Sequence, residues 1–275
     1  MIRRWLPIAP AGLVFLGLFA APLLYFLVIS FWSVKARMMR PDLTLANYAE
    51  TWNEYGDVLI STLATAAAIG FVTTLLAFGF AYAIRFKAGR LGPLLLFVTL
   101  ITLFGGYLVK IYAWKSILGR DGIINMALTG LGILDEPSPA FIYSTTAVVV
   151  TLTYFLLPFA VLPIYGALRS VKETTLEAAR DLGARPLAVM RDIVVPQCRG
   201  GLVAAFTLAF LISAGDYVTP RLVGGGAAMM GHFIETQFSI GFDWPMGSAM
   251  SFTVLGASLA ILLAVRFLFG LAFRP

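Results

Sequence analysis

The run TTLEAARDLGARPLAVMRDIVVP, residues 174–196, is a charged island in a chain that is otherwise mostly apolar. Thr174, three residues ahead of Glu177, has the form of a capping box, Gly183 suits the left-handed position that ends a helix, and Pro186 suits the first turn of the next. The spacing predicts a short helix, a turn and a second short helix. Arg180, Asp181, Arg185, Arg191 and Asp192 keep part of the unit in water. Leu176, Ala179, Leu182, Leu187, Met190, Ile193 and Val194 recur at helical spacing as an apolar face. Such a unit lies on a membrane surface and offers a small, shaped knob to another body. A plainer reading of the same residues is an interfacial loop in which Glu177 only completes its own cap.

The membrane is implied by what surrounds the island. Of the 275 residues, 60% are hydrophobic and only 12% charged, about half the charge of a soluble domain, and several apolar runs reach the length needed to cross a bilayer. The expected fold class is therefore an all-α membrane protein of about six transmembrane helices. It forms a single domain over 1–275, with a core of about 59–269 and the first span and an outer loop in 1–58. A lone cysteine, Cys198, leaves no intramolecular disulfide, and a lone histidine, His232, leaves no metal-ligand cluster, so no metal site is expected. Cys198 reads as a small apolar filler near a helix start.

Arg3 and Arg4 precede the first run, about Pro7 to Trp32, flanked by Trp5 and Trp32 and with Pro22 as a possible kink. It is too long for a signal peptide and no small-residue cleavage site follows, so it is expected to stay as the first span. Residues 33–58 are polar, with TLANYAETW as a short surface helix before a second span, Leu59 to Ile84, whose Ala, Gly, Ser and Thr favour close helix packing. A basic turn, Arg85 to Arg90, leads to a third span of about Leu94 to Tyr112. Lys110 and Lys115 fall near its end among Tyr107, Tyr112 and Trp114, either as snorkelling lysines in an interfacial belt or as a wall of a solute pathway. The fourth span, Tyr143 to Leu168, contains Tyr154 and is interrupted by Pro158 and Pro163, which suggests a bend. After the island, a fifth span beginning near Gly201 is apolar only to Ala214 and stops at Gly215-Asp216-Tyr217, ahead of Pro220 and a VGGG run. A short span broken by Gly, Pro and an acid has the character of a binding element, so Asp216 and Tyr217 lead the candidates for solute contact; pairing of Asp216 with Arg221 is the structural alternative. Glu235 and Asp243 lie in the last outer loop, 221–245, before a sixth span, Met246 to Phe269.

Charge fixes an orientation. If both termini, the 85–92 turn and the 169–199 loop share one side, that side holds thirteen Lys and Arg against four acids, and the other holds seven against ten, in keeping with the net +6. The positive-inside rule then puts the island and both termini in the cytoplasm. No basic run interleaved with aromatics occurs, so the charge is read as topology and no nucleic-acid partner is expected. GxxxxGK[ST], GxSxG and HExxH are all missing from the sequence. The chain is thus not expected to be an enzyme, and any ATP would be hydrolysed by a partner.

At the island the chain resembles the permease subunits of ATP-binding-cassette importers, whose signature is Glu-Ala-Ala, three residues, Gly, nine residues and Ile-x-Leu-Pro. Glu177, Ala178, Ala179, Gly183, Ile193 and Pro196 stand at those places, with Val195 for the usual Leu. The resemblance implies that Glu177, Ala178, Ala179, Arg180, Asp181, Leu182 and Gly183 form a cytoplasmic coupling helix between the fourth and fifth spans that docks on an ATPase. YAWKSILGRDGIIN (112–125), LPFAVLPIYGAL (157–168), GDYVTPRLVGG (215–225) and DWPMGSA (243–249) are similar to the spermidine/putrescine branch of the family. That branch implies half of a pore in the bacterial inner membrane, in contact with lipid and with an ATPase pair that uses ATP and Mg. A second homologous permease and an extracytoplasmic solute-binding protein complete the implied assembly, and no cofactor is held by the chain itself. The implied solute pathway takes in Asp216, Tyr217, Lys110, Tyr112, Trp114, Tyr154, Glu235 and Asp243. The rival expectation is a stand-alone secondary transporter or channel for a small cation, with Asp216, Glu235 or Lys110 as coupling charges.

Overall fold

The computed structural model describes residues 9–225 and 229–272. Arg3, Arg4, Trp5, Pro7 and Arg274 lie outside the described residues, as does 226–228 within the VGGG loop. Contacts divide the chain into two compact units, Met1–Ile60 with Met230–Ala257 and Ser61–Met229 with Ser258–Pro275.

In the first unit, helix α1 (Pro10–Ile29) is apolar enough to span. Its turn Leu16–Ala20 is a π-turn immediately before Pro22. A proline ring clashes with the carbonyl four residues back, here that of Leu18, and the wider turn relieves the clash. The polar segment after α1 is a hairpin, β1 (Ser33–Lys35) antiparallel to β2 (Met38–Arg40). Its two central residues, Ala36 and Arg37, have φ of 52° and 61°, which gives the tight turn whose twist matches paired strands. Asp42 closes the hairpin, accepting from Ser33 Oγ at 2.7 Å and Ser33 N at 2.9 Å. Asn47 Nδ2 then donates to the carbonyls of Ser30 at 3.0 Å and Trp32 at 2.8 Å. These bonds tie the end of α1 to the start of α2 (Ala46–Phe86), a single helix of 41 residues. At about 1.5 Å per residue it is roughly twice as long as a bilayer core is thick. TLANYAETW is therefore not a separate surface helix: its helical part, from Ala46 on, is the opening of the second span.

In the second unit, the expected third span is broken. Helix α3 (Gly92–Ile101) continues as a tight turn to Phe104, and α4 (Tyr107–Leu118) departs at about 100° beyond Gly105-Gly106, followed by α5 (Ile123–Gly130). The expected continuity to Tyr112 fails because two adjacent glycines in extended conformation (ψ 129° and 136°) end one helix and start another. Helix α6 (Thr145–Leu168), capped by Ser144 Oγ accepting from Ala147 N at 3.1 Å, runs unbroken through Pro158 and Pro163. Between Leu168 and Pro186 lies α7 (Glu173–Asp181), and α8 runs from Pro186 to Ala214. The fifth span thus starts fifteen residues before Gly201, because a π-turn, Met190–Val194, accommodates Pro196 and carries the helix past it. What looked like a second short helix is the first part of this span.

Helices α6 and α8 form the main packing pair. A Cβ added at Gly201 would lie 2.6 Å from the Pro163 carbonyl oxygen and 2.7 Å from Ala167 Cβ, so only glycine permits this approach. Around the contact, Val161, Ile164, Leu168, Val194, Cys198 and Ala205 are fully buried. The remaining elements are α9 (Val218–Val223), then α10 (Met230–Thr236) and α11 (Trp244–Ala272). In the first unit Phe26 stacks on Trp244 at 6.2 Å and meets Phe238 edge-on at 5.9 Å. Five described helices are long and apolar enough to cross a membrane, and the bent α3–α4 pair is the sixth candidate.

Candidate functional site

Two features of the second unit carry chemistry. The first is the island. Helix α7 begins with Glu173 after Lys172, and no side chain caps it. The expected Thr174 capping box is absent because the helix starts two residues earlier, at Glu173 with Lys172 at the cap, which leaves Thr174 inside it and puts the Glu173 carboxylate in the first turn, where the helix dipole favours an acid. The C-terminus is as expected: Gly183 has φ +81°, its N–H donates to the Arg180 carbonyl at 2.8 Å, and the Ala184 N–H donates to the Ala179 carbonyl at 3.0 Å. This reciprocal pair ends the helix and aims the chain at Pro186.

The knob sits on the core by one side only. Leu176 is buried and Ala179 packs beside it, while Glu177, Ala178, Arg180, Asp181 and Gly183 are exposed. The expected apolar face is split: Leu182 is 89% and Leu187 79% exposed, pointing away from the core that holds Val189 and Val194. Two leucines held in water beside a rigid turn are a ready contact for another surface. Arg85, at the end of α2, donates to Glu173 Oε1 at 2.7 Å and anchors the start of the knob.

The second feature is the end of α8. Asp216 is 9% exposed, and its Oδ1 accepts from the Tyr107 hydroxyl at 2.6 Å and from the Val218 N–H at 3.0 Å. The same hydroxyl lies 2.9 Å from Thr219 Oγ1. Oδ2 is buried with no hydrogen-bond partner among the described residues. Tyr107 packs on Phe155 at 4.8 Å, and Phe155 on Phe159 at 5.6 Å. A carboxylate half satisfied by one phenol and one amide, with aromatic rings beside that phenol, can accept a further strong donor.

Lys110 neither snorkels nor stands free. It is buried, its Nζ donates to the Thr102 carbonyl and lies 5.2 Å from the centre of the Phe155 ring. Its ammonium thus caps the last turn of the first arm from beyond the bend, where the dipole favours a cation. Tyr107 and Lys110, three residues apart on α4, use Phe155 as a shared floor. The other pathway candidates divide: Trp114 meets Tyr154 edge-on at 5.5 Å, whereas Tyr112 and Tyr217 are exposed. Glu235 and Asp243 belong to the first unit. Glu235 accepts from Ser239 Oγ at 3.1 Å and lies 4.0 Å from His232 Nδ1, and Asp243 Oδ1 caps α11 by accepting from Met246 N at 3.0 Å. The sequence reading missed Tyr107 as the partner of Asp216, and with it Thr219 and Phe155. The tyrosine-lysine spacing on one helical face was its only local signal.

Comparison with known proteins fits this architecture. Residues 15–274 match the family described as binding-protein-dependent transport system inner membrane component. The spermidine/putrescine transport system permease protein PotB of Haemophilus influenzae is 34% identical over 221 residues, covering 79% of this chain and 77% of that one. The inner membrane ABC transporter permease protein YdcU of Escherichia coli is 29% identical over 266 residues, covering 86% and 84%. A crystal structure of a bacterial alginate ABC transporter, in complex with an alginate pentasaccharide-bound periplasmic protein, superposes with a TM-score of 0.70 at 14% identity, covering 99% of this chain and 96% of that one. With a family match over nearly its whole length, the chain belongs to the inner membrane components of binding-protein-dependent transport systems, as a multi-pass permease subunit.

Proposed function

We propose that this permease forms half of the pore of an ATP-driven importer for a small organic cation of the polyamine class. The observation that carries the cargo assignment is the buried, unpartnered Oδ2 of Asp216. An ammonium group supplies the charge-assisted donor that this oxygen lacks, and the neighbouring Tyr107 and Phe155 rings suit the alkyl stem. The spermidine/putrescine assignment of PotB supports the same class. A stand-alone secondary carrier is the less favoured reading, since the family couples permeases to a binding protein.

The knob is the element that receives work. A pair of ATPase subunits, which hold the ATP and Mg, docks on Glu177, Ala178, Asp181 and Leu182 from the cytoplasm. Their closure moves the knobs of this chain and of a second, similar permease together, and α8, continuous with the turn at Gly183, tilts with them. The pore then opens toward the loaded extracytoplasmic binding protein, and hydrolysis resets it. Leu182, Leu187 and the rigid turn support this role, and the lysine and arginine distribution supports the orientation.

The test is uptake of radiolabelled putrescine and spermidine into proteoliposomes holding the full assembly. Asp216→Asn is expected to lower uptake about tenfold or more, the effect of losing a charge-assisted bond. Glu177→Arg and Leu182→Asp are expected to insert normally but to abolish co-purification of the ATPase. Unchanged uptake in Asp216→Asn overturns the cargo site, and undiminished ATPase recovery in both knob variants overturns the docking role.

A further inference from the structure

We infer that Lys110 is a positioning residue of the solute site: its ammonium latches the bend between α3 and α4 and so holds Tyr107 against Asp216. The inference rests on the reading of Asp216 as the cargo site. Burying an ammonium among neutral groups costs free energy, and so does freezing a long side chain, so fold stability alone does not account for a lysine here. The side chain turns back across the bend. Its Nζ donates to the carbonyl of Thr102, in the tight turn that ends the first arm, and rests over the Phe155 ring. The same carbonyl accepts from the Gly105 N–H at 3.3 Å, and the Thr102 hydroxyl donates to the Thr99 carbonyl at 2.6 Å, which ties it back into α3. Lys110 therefore joins the end of one arm to the first turn of the other.

The glycines of the bend give a second, independent sign. Gly105 (φ −68°, ψ 129°) and Gly106 (φ −55°, ψ 136°) hold extended angles open to any residue. The backbone therefore does not demand glycine here, and a glycine pair leaves the angle between the arms loosely set. At Gly105 a Cβ would lie 3.1 Å from Lys110 Cε and 3.9 Å from Nζ, so the missing side chain is the room that the lysine stem occupies. Tyr107 is the first residue of α4 and takes its place directly from the bend. A change in that angle moves its hydroxyl away from Asp216 Oδ1 and Thr219 Oγ1, and a hydrogen bond of 2.6 Å tolerates little displacement. Beside a cationic cargo, the charge of Lys110 taken alone repels, whereas the latch helps binding. Removing the lysine therefore has opposite signs under the two roles.

Pulsed electron paramagnetic resonance reads the bend itself, from nitroxides introduced through Leu94→Cys and Ser116→Cys in the full assembly. Both positions are exposed in this chain, and Cys198 is buried. A single narrow distance is expected with Lys110 in place, and a broadened or shifted one in Lys110→Met, which keeps the bulk of the stem and loses the donor. Lys110→Arg, which still offers a donor, should narrow it again. Gly105→Val, which displaces the stem and leaves the charge, should broaden it. In uptake of radiolabelled putrescine, Lys110→Met should raise KM several-fold at a nearly unchanged maximal rate. Combined with Tyr107→Phe, it should add little to the loss that Tyr107→Phe gives alone, because both act through one hydroxyl. An unchanged distance in Lys110→Met overturns the latch. So does a lower KM in that variant, which would show the ammonium acting only as a repelling charge, and so do losses that add fully in the double variant. The distance measurement needs no cargo: if Asp216→Asn leaves uptake unchanged, the cargo site falls while the distances still decide the latch.

Discussion

At the scale of single residues, burial decides which charges matter. Asp216 and Lys110 are each 9% exposed, yet among the described residues neither has an ionic partner in its hydrogen bonds: the first relies on a phenol and an amide, the second on a carbonyl and a ring. A buried charge held by neutral groups is sensitive to losing any one of them. Tyr107→Phe is expected to reduce solute uptake several-fold with only a small fall in thermal stability, and an uptake assay alongside a melting curve separates the two. Asp42 is the contrasting, solvated case. The Ser33 hydroxyl, above all, holds its carboxyl below the ordinary 3.8, against a smaller upward push from burial. A depressed folded value means that the hairpin gains stability fully above 3.8 and loses it as pH falls through the lower folded value. Protection of amides 33–42 from hydrogen exchange, corrected for intrinsic rate, should drop in strongly acidic buffer, and Ser33→Ala should show the loss at higher pH. Asp216 stood out in the sequence because acids are rare beside apolar runs. Tyr107 did not, because 109 residues separate the partners and only the bend at Gly105-Gly106 brings them together.

At the scale of elements, turn chemistry was more legible than helix starts. Gly183 and Pro186 act where the sequence put them, since only glycine enters the left-handed region at little cost and proline is preorganised for a first helical turn. Thr174 failed as a cap because a hydroxyl cannot outweigh a helix that gains two further residues and an acid in its first turn. The start of α8 was hidden for a related reason: proline inside a helix ordinarily breaks it, whereas the five-residue π-turn Met190–Val194 ahead of Pro196 lets the helix continue. Gly183→Ala should therefore cost about 1 kcal/mol in backbone strain and loosen the knob, seen as faster hydrogen exchange in Glu173–Asp181. Gly201→Val presses on the backbone of α6 itself and is expected to lower stability by about 1–3 kcal/mol, read as a lower melting temperature in detergent. An unchanged melting temperature would mean that α6 and α8 can part without penalty.

At the scale of the molecule, composition announced a helical membrane protein, and the island announced its family, because six of the seven spaced signature positions are matched independently of packing. The connections between distant elements were not legible. Arg85 and Glu173 are 88 residues apart, one in a basic turn and the other just before the island, and nothing local to either pairs them. In the folded chain they meet at 2.7 Å, linking the long α2 to the first residue of α7. Glu173 is 59% exposed, so the bond adds at most a few tenths of a kcal/mol to about 1 kcal/mol of stability. Under the coupling role proposed above, its consequence lies in transmission instead: an ion pair that fixes the knob to α2 as well as to α8 would make two spans follow the knob rather than one. Arg85→Ala and Glu173→Gln should leave the melting temperature nearly unchanged while raising the ATP hydrolysed per solute imported, measured together in proteoliposomes with the binding protein inside the assay. Swapping the charges, Arg85→Glu with Glu173→Arg, should recover part of the coupling, though not all of it, because a cation in the first turn of α7 opposes the helix dipole. If both single variants keep the wild-type ratio of ATP to solute, α2 does not take its motion from this contact, and α8 alone transmits the work of the knob.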